Sequence, residues 1–257
     1  MPLPDDASSG RTNESFGMTV EYVLCELSGL DRSGLEHRTL PALAEYIRPL
    51  LSKAIQALPR LVAHEGAERG ARGGQSKSNV DFRAAGGQTL SVKSTLRRSG
   101  GKVCPPEVGQ PGMATYSHYF GSLYVAEQRS PDGRVRPEAF RTVAQERIVD
   151  KLEIYLRHLF DCDYLLWVWL EPSPGYLILP RAALPRIAWE RDRFTFSRSP
   201  DAWNESCSVR YRALDPDTGQ ERDIPIGEFQ IHEHRANYKF RVVLPNLHKI
   251  LRAEGLA

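Results

Sequence analysis

The chain has 257 residues, 41% of them hydrophobic and 26% charged, enough for one sizeable core and too apolar for an unfolded polypeptide. Its longest apolar stretch, Tyr164 to Leu170, falls far short of the ~20 residues a membrane helix needs, and the net charge of +2 excludes a general polycation. The opening Met1-Pro2-Leu3-Pro4-Asp5-Asp6 lacks the basic and then apolar regions of a secretory signal, so the cytoplasm is the expected location.

Residues 1–14, rich in Pro, Asp, Ser and Gly, are expected to form a disordered leader. Phe16, Val20, Val23, Leu24 and Leu27 recur at helical spacing and predict a first helix with Glu21 near its middle. Pro41 opens a second, whose stripe of Leu43, Tyr46, Ile47, Leu50, Leu51, Ile55 and Leu58 ends before Pro59. The glycine-rich, basic stretch from Glu65 to Asn79 reads as a mobile loop of the kind that orders on DNA. Two strand-like runs, Asn79 to Ala84 and Thr89 to Ser94, flank Ala85-Gly86-Gly87-Gln88, and a Gly-Gly pair in that place predicts a hairpin.

Pro105 and Pro106 then predict a helix entry leading through Glu107, Val108, Met113, Tyr116 and Phe120, with Gly109, Pro111 and Gly112 in its first turns. A strand over Ser122 to Ala126 is expected to follow. From Phe140 to Phe160, Val143, Ile148, Leu152, Tyr155, Leu156 and Leu159 share one face and predict a single amphipathic helix. Tyr164 to Leu170 and Gly175 to Leu179 read as apolar strands. Phe194 to Phe196, Ser208 to Tyr211, Glu228 to Ile231 and Phe240 to Val243 read as shorter ones, before a last helix around Leu247 to Leu251. No internal repeat is present. This order of elements predicts an α/β fold with a mixed central sheet flanked by helices, as one domain over 15–257, its core in 15–180 and its C-terminal part in 181–257. Trp167, Trp169 and Trp189 read as core, and Cys25, Cys104, Cys162 and Cys207, without a CxxC pair or a histidine at zinc-site spacing, as reduced and mostly buried thiols.

Charge is unevenly spread. Arg69, Arg72, Lys77, Arg83, Lys93, Arg97, Arg98 and Lys102 share the segment 69–102 with one acid, Asp81. A basic segment in a near-neutral chain suits a directed anionic partner, of which nucleic acid is the commonest, although a solvated loop has the same composition. Hydrolysis of a phosphodiester needs a divalent ion, carboxylates to hold it, and a cation near the attacking or leaving oxygen. Asp81 on the first strand of the hairpin and Lys93 on the second can supply an acid and a cation. Alternation puts Ser91 and Lys93 on one face while Val92 turns to the core.

Asp81, the hairpin and the triplet Ser91-Val92-Lys93 resemble the PD-(D/E)XK nuclease superfamily, whose pattern is an Asp, a short hairpin, then an acid, any residue and Lys. Val80 stands where many members have Pro, and Ser91 where they have the acid. A similar Ser-Val-Lys triplet is known in restriction enzymes that cut sites containing CCGG. There the missing carboxylate comes from the following helix, about fourteen residues after the lysine, a position held here by Glu107. Gln110 is the alternative at that place. Gly17-Met18-Thr19-Val20-Glu21 matches the family's further metal-associated glutamate on the first helix, which makes Glu21 the candidate, with Glu26 behind it. The resemblance spans roughly Gly17 to Phe120. It implies a type II restriction endonuclease acting with Mg²⁺ on double-stranded DNA: Asp81, Glu107 and Glu21 as metal ligands, Ser91 and Lys93 in the catalytic set, and a homodimer matched to a palindromic site.

Base reading requires Arg for guanine and Asn or Gln for adenine. Gln230, His232, Arg235, Asn237, Lys239 and Arg241 alternate with apolar or aromatic residues and are the candidates, a charged edge strand being the plain alternative. Arg97, Arg98 and Lys102 are expected on the flanking DNA backbone. A non-catalytic DNA-binding protein of the same fold, and a repair or junction nuclease, are the rival readings. A nucleotide-binding α/β protein is disfavoured because no GxGxxG or P-loop pattern is present.

Overall fold

The computed structural model describes residues 12–65, 79–98, 101–123, 135–182, 187–232 and 237–256. Most of the predicted leader, loop positions 66–78, the far end of the strand expected at Ser122 to Ala126, and Arg235 lie outside them. The chain divides into two units, 1–101 with 160–181 and 102–159 with 182–257.

The first unit carries helices α1 (Asn13–Ser28) and α2 (Pro41–Gln56), and five of the strands numbered along the chain: β1 (Leu61–His64), β2 (Phe82–Ala84), β3 (Thr89–Arg97), β5 (Tyr164–Glu171) and β6 (Gly175–Pro180). The sheet order is β1-β2-β3-β5-β6, antiparallel except for the parallel pair β3 and β5. This is the mixed α/β architecture that the order of elements predicted.

Local chemistry sets the helix ends. Thr12 accepts from the Ser15 N–H at 3.0 Å while the Ser15 hydroxyl accepts from the Thr12 N–H at 2.8 Å, a reciprocal cap that starts α1 three residues before the apolar stripe begins. Gly29, at φ 68°, ends the helix in the left-handed conformation that a glycine adopts without strain. Phe16, Val20, Val23 and Leu24 then pack with Leu43, Ile47 and Leu51 of α2 against Leu90 and Val92 of β3 and Leu166, Val168 and Leu170 of β5. Because side chains alternate, that face of β3 takes Val92 into the core and sends Ser91 and Lys93 to the other side. Between β2 and β3, Gly86 and Gly87 both have φ 81°, and the Ala84 N–H donates to the Gln88 carbonyl at 2.7 Å, closing the predicted hairpin.

The second unit is an antiparallel sheet, β4-β10-β9-β8-β7, of β4 (Lys102–Val103), β7 (Phe194–Phe196), β8 (Ser206–Asp215), β9 (Gln220–His232) and β10 (Asn237–Val243). Its helices are α3 (Met113–Phe120), α4 (Pro137–Glu146), α5 (Ile148–Leu159) and α6 (Leu244–Ala253). An aromatic core of Tyr116, Phe140, Tyr155, Phe229, Tyr238 and Phe240 joins helices to sheet, with ring centroids 4.3–6.2 Å apart.

Two expected helices differ. The single helix over Phe140 to Phe160 is two, broken at Arg147 (φ −112°, ψ 36°). The apolar stripe runs on across the break, so periodicity alone does not register it. The helix expected from Pro105 begins only at Met113, because Pro106, Gly109, Pro111 and Gly112 deny it a continuous first turn. Among the described residues, a 3₁₀ turn at Gly121–Leu123 stands where the Ser122 strand was expected to start, and no helix is long and apolar enough to cross a membrane.

Candidate active site

Asp81 sits one residue ahead of β2, clamped by its backbone. Its N–H donates to the Leu90 carbonyl at 2.9 Å, and its carbonyl accepts from the Glu65 N–H at 2.9 Å. The hairpin thereby brings β3 across the carboxylate. Oδ2 accepts the Val92 N–H at 2.6 Å, stands 3.4 Å from the Ser91 hydroxyl and lies 3.8 Å from Lys93 Nζ. Ser91 has one proton to give, and the Asn79 Oδ1 at 3.0 Å is the nearer acceptor, so Ser91 ties Asn79 to the acid's surroundings. All of Asp81's side-chain contacts among the described residues fall on Oδ2, leaving Oδ1 without one.

Glu21 approaches from α1. A Cβ on Gly17, one turn earlier, would lie 3.0 Å from Ser94 Oγ, so the helix and β3 come close there, and this contact brings Glu21 to the end of β1. Glu21 Oε2 is 2.9 Å from His64 Nε2, and Oε1 has no partner among the described residues. Glu26 is otherwise engaged, with Arg48 at 3.0 Å and Arg32 at 3.5 Å.

The electrostatics of Asp81 follow. Burial pushes its carboxyl up, Lys93 pulls it down, the Glu21 charge pushes it up again, and the Val92 and Ser91 hydrogen bonds pull it down; the net is upward. Two carboxylates close enough to feel each other, each with one oxygen uncommitted, are a donor set that a divalent cation suits. Among the described residues no group of three or more His, Cys, Asp or Glu side chains is gathered to hold a metal ion. Mg²⁺, however, is commonly held by one or two carboxylates, with water and substrate phosphate completing the shell, and the two acids fit that mode.

Glu107 occupies a turn rather than a helix. It has φ 61°, the Val108 N–H bonds back to Pro106 and the Gly109 N–H to Pro105, and its carboxylate lies 3.4 Å from His158 Nδ1. The expectation that a helix presents it is therefore corrected. Glu107 and the exposed Gln110 both belong to the second unit. At the end of β3, Arg97 pairs with Glu171 at 3.3 Å and the Arg98 guanidinium lies 5.1 Å over the Trp169 ring.

The described reading candidates lie on β9 and β10, and Lys102, a candidate for the DNA backbone, lies on β4. Cross-strand pairs Gln230↔Lys239, His232↔Asn237 and Glu228↔Arg241 form one polar face, while Phe229, Ile231, Tyr238 and Phe240 are buried on the other. Glu228 Oε2 takes Lys102 Nζ at 2.8 Å and an Arg241 guanidinium nitrogen at 2.7 Å. Burial opposes it, yet these two bonds together hold the Glu228 carboxyl below its usual range. Asn237 Oδ1 and Arg241 Nε are buried without a partner among the described residues.

His64, Asn79 and Glu228 escaped the sequence reading. Glu228 carried a signal, lying two residues from Gln230 on the same side of β9, and Asn79 lies two residues from Asp81 in the segment ahead of β2. His64 carried none.

No family model matches the chain, and no solved structure matches it. It is similar to a type II restriction enzyme. That protein, CviAII of Paramecium bursaria Chlorella virus 1, is 24% identical over 169 residues, 65% of this chain and 42% of the viral enzyme. The chain therefore matches less than half the length of this relative.

Proposed function

We propose that the protein is a Mg²⁺-dependent endonuclease that hydrolyses double-stranded DNA at a specific short sequence, in the manner of a type II restriction enzyme. The observation that carries it is the convergence of Asp81, Glu21 and Lys93 at the hairpin, and the similarity to a restriction enzyme supports the same reading.

Asp81 and Glu21 would hold the ion through Oδ1 and Oε1, the oxygens left without partners. When bound, the ion polarises the phosphate and lowers the pKa of a coordinated water. Lys93, 3.8 Å from Asp81, would orient the attacking water and offset charge as it develops on the phosphate. Val92's backbone N–H fixes the Asp81 carboxylate, and Ser91 ties Asn79 to its surroundings. Arg97, Arg98 and Lys102 meet the DNA backbone. Gln230, His232, Arg235, Asn237, Lys239 and Arg241 read base edges, and a homodimer cuts the two strands of a palindrome.

The test is incubation of the full chain with long, unmethylated, mixed-sequence DNA in Mg²⁺ or EDTA. Discrete Mg²⁺-dependent fragments are expected. Unbroken DNA on a diverse substrate, with binding retained, would move the assignment to a non-catalytic DNA reader. The Ser91 hydroxyl, turned to Asn79 where the superfamily has a metal-binding acid, is the observation favouring that second reading. Fragments whose ends follow DNA structure rather than sequence would mark a repair or junction nuclease.

A further inference from the structure

Glu21 lies near the half-buried Asp81 carboxylate, on which its charge acts, and something must hold it there. An acid on a helix surface has several rotamers and would turn to water or to a free cation, as Glu26 does toward Arg48 and Arg32 on the same helix. Glu21 instead meets a histidine whose side chain is 2% exposed. The His64 ring is locked at the end of β1, its centroid 4.7 Å from that of Phe82.

The hydrogen bonding fixes which nitrogen carries the proton. An ionised Glu21 can only accept, so His64 Nε2 at 2.9 Å is the donor. Nδ1 is buried with no partner among the described residues, a state tolerable for a bare lone pair and costly for a second N–H. His64 is thus a one-proton donor with Nε2 committed and Nδ1 enclosed, which leaves it no nitrogen to offer a cation.

We infer that His64 is a positioning residue: its Nε2–H holds Oε2 of Glu21 so that Oε1 is presented, beside Asp81, to a divalent cation. The inference rests on the metal-dependent reading above and assigns the ring an outer-shell task, orienting an acid through its second oxygen. Phe82 has a matching part, because it is in the hairpin strand next to Asp81 and also packs on the ring that aims Glu21. Both acids are thereby set by one strand.

The experiment uses the full chain as wild type, His64→Leu, His64→Gln, Glu21→Gln and the double variant His64→Leu/Glu21→Gln. Mn²⁺ is titrated against each, with free Mn²⁺ read by electron paramagnetic resonance, and melting temperature is recorded alongside. Leu keeps apolar bulk against Phe82 without a donor, and Gln places an amide N–H where Nε2 was. The expected result is a loss of about tenfold or more in Mn²⁺ affinity for His64→Leu. His64→Gln should stay within about threefold of wild type, and His64→Leu should cost no further affinity in the Glu21→Gln background, since the two act through one contact. Equal Mn²⁺ affinity in wild type and His64→Leu would overturn the inference and leave the nuclease reading standing. So would additive losses in the double variant, or failure of His64→Gln to rescue affinity at restored melting temperature. A wild type that neither binds Mn²⁺ nor cuts DNA in Mg²⁺ would remove both.

Discussion

Asp81 in the first unit and Glu228 in the second are both largely shielded acids with basic neighbours, and their carboxyls move in opposite directions. Glu228 has two cations on one oxygen at 2.8 and 2.7 Å and is held low. Asp81 has one lysine at 3.8 Å and a second acid nearby, and is pushed up. Glu228 has its countercharge within the protein. Asp81 is undercompensated, and this is the condition in which a bound cation gains most. The direction of the shift thus separates a carboxylate that organises basic side chains from one left undercompensated, to which the proposed function assigns an ion.

The largest effects should come from breaking the Asp81 centre. Asp81→Ala and Lys93→Ala are each expected to lower the single-turnover cleavage rate by about a thousandfold or more, with DNA affinity in Ca²⁺ little changed. Retained cleavage in either would remove the hairpin from the chemistry. Next comes Glu228→Gln, which leaves Lys102 and Arg241 facing a neutral amide. A loss of about 2 kcal/mol at pH 7 in denaturant unfolding is expected.

The pH dependence then has opposite signs at the two acids. A lowered carboxyl stabilises the fold above its unfolded pKa and loses that contribution as pH falls through the folded value, so the Glu228→Gln deficit should shrink in acid. A raised carboxyl disfavours the fold once ionised. Asp81→Asn should therefore raise the melting temperature of the metal-free protein at pH 7, by about 2 °C, and the gain should fade as pH drops below the raised folded value toward the ordinary carboxyl value of 3.8. Matching pH trends for the two variants would erase the contrast. The smallest effect is expected at Arg97, whose side chain is 76% exposed beside Glu171. Arg97→Ala should change stability by under about 0.5 kcal/mol, yet reduce the slope of log DNA affinity against log salt by about 1.

What the sequence disclosed follows from how local each signal is. The hairpin was legible because two glycines at positive φ leave a mark in the residues themselves, α1 and the alternating face of β9 and β10 because one period governs each, and β5 because it is one continuous apolar run. The Glu107 helix failed where two prolines suggested an entry and Gly109, Pro111 and Gly112 prevented one. β1 is four residues long with its two middle residues exposed, too short to establish a period. His64 matters through Glu21, 43 positions away in the chain, a pairing that only the packing of α1 on the sheet creates.

The parallel pairing of β3 with β5 has a further outcome during synthesis. The segment between them, 102–159, belongs to the other unit, and that unit in turn waits for β10, at 237–243, before β4 at 102–103 has its neighbour. A nascent chain that has just released the Asp81 hairpin still lacks the strand that flanks Lys93, so an unfinished polypeptide cannot complete the sheet around the Asp81–Lys93 pair. Nor can the first unit be cut out as a contiguous fragment, since a chain ending at 101 loses β5 and β6 together.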